Sequence, residues 1–124
     1  MNQLALVSGA ILGILAIILG AFGAHAFKKF LSEERLSSFE VGVRYQMYAA
    51  ITLLIVGYNM DFQSSSDNWA VYGLLSGCLL FSGSIYFLSF KDVWKVNLRF
   101  LGPITPIGGL LMIIGWVMIL LSSI

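Results

Sequence analysis

From Leu4 to Phe27 the chain carries no Asp, Glu, Lys or Arg, and His25 is the only ionisable side chain in the run. At 1.5 Å of rise per residue such a run crosses the roughly 30 Å hydrocarbon core of a bilayer. Three further apolar stretches follow, at about 40–59, 69–90 and 99–122, with short polar connectors between them. Only 10% of the residues are charged, against about a quarter in soluble domains, which argues against a water-soluble fold. The expectation is an all-α integral membrane four-helix bundle, a single membrane domain over 1–124, with spans at about 4–27, 40–59, 69–90 and 99–122.

Ala24-His25-Ala26 imitates a small-x-small cleavage site, but Met1-Asn2-Gln3 supplies no basic n-region and Lys28-Lys29 follows like a stop-transfer flank. The first span is therefore read as retained. Gly9, Gly13, Ala16 and Gly20 recur on one helical face, and Gly73, Gly77 and Ser84 form a second such stripe in the third span. Small residues let neighbouring backbones approach closely, a main source of helix association in lipid. GxxxG-type packing is expected at Gly9, Gly13, Gly20, Gly73, Gly77 and Gly108.

Ser32 is placed to cap a helix whose first turn holds Glu33 and Glu34, and Ser37 with Glu40 gives a second capping signal. Leu36, Phe39 and Val43 share a face, which predicts a short interfacial amphipathic helix between the first and second spans. Glu40 and Arg44 are an i,i+4 pair in the favourable order. Trp69, Tyr72, Tyr86 and Trp94 read as interfacial aromatics. The fourth span begins near Gly102-Pro103-Ile104-Thr105-Pro106. A helix from about Arg99 with a distorted first turn is expected; the alternative starts at Pro106 with Thr105 as N-cap.

Lys28, Lys29, Arg35 and Arg44 flank the first connector and Lys91, Lys95 and Arg99 the third, while the second connector and both termini have none. Short basic loops stay cytoplasmic, so both termini are expected outside the cell. Most polar side chains of the spans then fall in the cytoplasmic half. An ionisable group at membrane depth is costly and usually faces the bundle interior or a wet cavity. The expected site is a polar pocket of His25, Glu40, Arg44, Tyr45, Gln46, Tyr48 and Thr105. His25 would cap a neighbour or titrate near neutral pH. Arg44 would snorkel to lipid phosphates or bind an anion.

Other chemistries find little support. One histidine and one cysteine, Cys78, fall short of the ligand counts for zinc, copper or haem. Cys78 has no partner for an internal disulfide and reads as a small apolar packer. Neither a nucleophile elbow nor a phosphate loop is present. The formal charge of +1, with basic residues flanking apolar spans, gives no nucleic-acid face. No cofactor, no metal and no catalytic residue are expected.

The segments GAFGAHAF at Gly20 to Phe27, GVRYQMY at Gly42 to Tyr48, LFSGSIY at Leu80 to Tyr86 and TPIGG at Thr105 to Gly109, with Gly115-Trp116 after them, together resemble the domain of unknown function 423 family. These are small four-span proteins that include transmembrane protein 256. The resemblance covers essentially the whole chain and implies a multi-pass location in the bacterial inner (plasma) membrane with no established activity. Relatives often carry a histidine after the aromatic matching Tyr48; here it is Ala49, which weakens any bis-histidine site. The functional expectation is a non-enzymatic structural, lipid-interacting or accessory subunit whose partners are the lipid bilayer and a homo-oligomer or larger membrane complex. The alternative is a small oligomeric transporter or channel, suggested by the proline-interrupted fourth helix.

Overall fold

The computed structural model describes residues 1–124, apart from the side chain of Ala24. The first span is α1 (Asn2–Ile17), a π-helical segment Ile18–Gly23 and the short α2 (Ala24–Phe27). Then come α3 (Glu33–Asn59), α4 (Ser65–Ser89), the short α5 (Lys91–Trp94), a 3-10 turn at Arg99–Leu101 and α6 (Ile104–Ser123). Four of these helical stretches are long and apolar enough to cross a membrane, so the protein is an all-α membrane protein.

The expected interfacial helix is not a separate element. Ser32 caps the helix by accepting the amide of Arg35 at 3.2 Å, and the helix then runs unbroken to Asn59. Ser37 and Glu40 lie inside it, so the second capping signal is unused. The apolar face carried by Phe39 continues into the face that packs the span, and nothing in the sequence between them breaks a helix. The fourth span opens as the favoured reading had it. Gly102 and Pro103 both hold helical backbone angles between the 3-10 turn and α6. Pro106 falls in the first turn of α6, where a missing N–H removes no intrahelical bond.

The main contacts join α4 to α6, α1 to α3, and α3 to α4. The central hairpin α3/α4 thus carries α1 on one flank and α6 on the other. Its core includes Ala50, Leu53, Val71, Leu74 and Cys78, with Met112 supplied by α6. Close approach is made by glycines. A Cβ at Gly77 would lie 2.6 Å from the backbone nitrogen of Met112, one at Gly73 would lie 2.9 Å from that of Gly115, and one at Gly108 would strike the backbone of Phe81. On the other flank a Cβ at Gly9 would lie 3.0 Å from the carbonyl oxygen of Ala50. Gly13 and Gly20 meet only side chains, of Ala50 and Val43. At the loop between α3 and α4, Phe62 takes a left-handed backbone (φ 58) and tucks its ring against the core.

Candidate functional site

The expected pocket divides in two. Gln46 is buried at 4% exposure. Its Nε2 donates to the carbonyl of Leu12 at 2.8 Å and its Oε1 accepts the hydroxyl of Tyr86, tying α3 to α1 and α4. Beside it the Ser82 hydroxyl donates to the carbonyl of Gly42 at 2.7 Å, and the Ser84 and Thr105 hydroxyls bond each other at 2.5 Å. These bonds are interhelical and lie in the half of the bundle nearer the basic connectors. Ser82, Ser84 and Tyr86 take part although the expected pocket did not include them; Tyr86 sits at the boundary in sequence, but its hydroxyl reaches inward. Its place three residues from Gly83 inside LFSGSIY is the only signal the sequence offered.

His25, Glu40 and Arg44 do not join this knot; all three lie on the outer surface. The expected Glu40–Arg44 pair does not form, and the one ion pair among the described residues joins Arg35 Nε to Asp92 Oδ2 at 3.4 Å. The reason is angular. Residues two apart on a helix point about 200° apart, so burying Gln46 against α1 turns Arg44 outward. His25 is likewise about 160° from the Gly9 stripe on a straight helix. Depth within a span says nothing of which way a side chain faces.

The polar residues of the other half are mostly self-satisfied. Ser8, Thr52 and Ser76 each return a hydroxyl to the carbonyl four residues earlier, as helix hydroxyls commonly do. At the far end Asp67 is buried and accepts the hydroxyl of Ser122, a contact between α4 and α6 that apolar periodicity gave no sign of.

Tyr45 and Tyr48 belong to a different feature. With α4 between them, α3 and α6 stay apart and leave a lateral cleft of about 880 Å³. Tyr45, Tyr48, Ile51 and Ile55 form its α3 wall, Phe81 its floor, and Gly109, Ile113 and Trp116 part of its α6 wall. The Tyr45 ring lies 5.5 Å from Tyr48 and 5.1 Å from Phe81. Arg44 sits one turn from Tyr48 on the same face of α3. At the basic end Pro106 is shared with a smaller pocket of about 360 Å³ bordered by Arg35, Ser38, Ser89 and Thr105. The volume suits a ligand site, which usually runs to about 300–1,000 Å³. Aromatic rings pack the same end: Phe27 meets Phe39 and Phe90 at 5.4 and 4.7 Å, and Trp94 stacks on Phe90 at 5.3 Å. Trp94 is half exposed, as an interfacial anchor is.

Comparison with known proteins finds chains similar to this one. Residues 19–109 match the profile described as Protein of unknown function (DUF423). A UPF0382 membrane protein of Staphylococcus haemolyticus is 40% identical over 121 residues, covering 98% of this chain and 95% of the relative. One from Staphylococcus epidermidis is 41% identical over 118 residues, 95% and 93% of the two chains. The UPF0382 membrane protein YwdK of Bacillus subtilis is 38% identical over 121 residues, 96% and 94%. No solved structure matches.

Proposed function

The chain belongs to the DUF423 family, and from that footing we propose that it is a non-enzymatic membrane protein whose working surface is its lateral face, turned toward lipid or another membrane subunit. The observation that carries this reading is the open cleft between α3 and α6. Apolar side chains on the outer faces of α1 and α6, among them Ile11, Ile14, Ile113 and Leu120, extend the same kind of surface around the bundle. The buried hydroxyls and Gln46 are committed to interhelical or intrahelical bonds, which leaves them a holding role rather than a chemical one. Cys78 is packed among apolar neighbours, where a thiol has little nucleophilic character.

The location in this reading is the bacterial plasma membrane, with both termini outside and the Arg35–Asp92 bridge on the cytoplasmic side. The positive-inside rule supports it, since Lys28, Lys29, Lys91, Lys95 and Arg99 all lie at one end. The partners are lipid, further copies of the chain or a larger complex, joined through surfaces rather than through a pore. The transporter alternative draws less support, because the interhelical polar groups do not line a continuous path. Native mass spectrometry of protein released directly from its own membrane is the test. Retained lipid or a retained protein subunit is expected; a bare monomer after the mildest extraction contradicts the proposal.

A further inference from the structure

We propose that the cleft between α3 and α6 seats one anionic phospholipid, with an acyl chain along the apolar groove and the phosphate at the polar end beside Arg35 and Ser38. The inference rests on the reading of the lateral face as the working surface and says what fills it.

Three observations specify the occupant. The first is depth. The α3 wall runs from Tyr45 to Ile55, about 15 Å at helical rise, which is half the thickness of a hydrocarbon core of about 30 Å and lies about the middle of the 40–59 span. The second is the gradient along the cleft. Pro106 also lines the neighbouring pocket that Arg35, Ser38, Ser89 and Thr105 border, so the two adjoin there. Ser38 lies two helical turns from Tyr45 and just outside the 40–59 span, which puts it in the headgroup layer. An apolar groove that ends in a guanidinium and hydroxyls matches an amphipathic molecule with a negative head. The third is charge. Arg35 meets Asp92 through Nε at 3.4 Å and borders the polar pocket, and a guanidinium binds phosphate with matching geometry. Lys91, Lys95 and Arg99 stand at the same end of the bundle, adding a field that favours anionic headgroups.

A second copy of the chain fits the cleft less well. Helices associate in lipid through small residues, and Gly73, Gly77, Gly108 and Gly115 are already consumed between α4 and α6. The cleft instead presents mainly bulky side chains, Tyr45, Tyr48, Phe81 and Trp116 among them, with Gly109 the one glycine in its wall.

The experiment incubates delipidated full-length protein with equal amounts of phosphatidylglycerol and phosphatidylcholine and reads bound lipid by native mass spectrometry. Wild type is expected to retain one phosphatidylglycerol in preference to phosphatidylcholine. Arg35→Gln should cut that preference about fivefold, whereas Asp92→Asn, which removes the bridge but keeps the guanidinium, should preserve or raise it. Gly109→Leu should reduce retention of both lipids, because a Cβ there makes only ordinary contacts of 3.5 Å with Phe81 and the rest of the side chain fills the groove. An Arg35→Gln protein with undiminished preference overturns the headgroup assignment, and a Gly109→Leu protein with undiminished retention overturns the cleft as the seat. Should wild type hold no lipid and run as a dimer, the lipid proposal falls while the lateral-face reading stands. A lipid-free monomer defeats both.

Discussion

Gln46 shows how one residue sorts its neighbours. Its amide is satisfied by the Leu12 carbonyl and the Tyr86 hydroxyl, and holding it inward fixes the rotation of α3. Removing the hydroxyl with Tyr86→Phe leaves Oε1 without that donor in a dry site. The expected cost is about 0.6–1.7 kcal/mol, the range measured for hydrogen bonds between membrane helices, read as a lowered midpoint of thermal unfolding in detergent. His25→Ala and Arg44→Ala should leave that midpoint nearly unchanged, because neither side chain is buried or paired in the bundle. Gln46 and Thr105 could be singled out from sequence because a polar side chain deep in an apolar run needs a partner. The exclusion of Arg44 and His25 also lay in the sequence, in their angular offsets from Gln46 and Gly9, but a count by membrane depth discards that angle. Tyr86 was hidden because the same residue type at the same depth serves equally as an interfacial anchor.

Among the elements, α4 and α6 make the closest pair, and glycine is what permits it. Gly108→Ala would drive a methyl into the backbone of Phe81, where no flexible side chain can yield. The helices must separate, at about 1–3 kcal/mol if the fold accommodates the overpacking. Gly83→Ala is the contrasting case: a Cβ there meets nothing within 4 Å, so the higher helix propensity of alanine should leave stability equal or raise it by up to about 1 kcal/mol. Comparing the two melts in one detergent separates glycine required by contact from glycine merely present. Span positions were legible because length and apolarity alone decide them. The continuity of α3 was not, since a surface helix and a span that share an axis carry the same periodic signal. The cleft was not legible either, because it depends on α3 and α6 both choosing α4 rather than each other.

At the scale of the whole molecule, charge sets orientation and packing sets the free surface. With the basic residues confined to one end, a reporter fused after Ile124 that is active only outside the cytoplasm should give signal, and one active only inside should be silent. Interhelical bonds at Gln46, Ser82 and Ser84 tie the half nearer the basic connectors, Ser122 and Asp67 tie the opposite end, and the cleft opens sideways across the middle of the spans. On the proposal made above, this surface is filled from the membrane rather than from water. The most direct measurement is photo-crosslinking in intact membranes from a benzophenone side chain at Ile113, on the α6 wall of the cleft. A covalent phospholipid adduct is the predicted product; a crosslink to α3 of the same chain, with no lipid adduct, would mean that the cleft is closed and contradict the account.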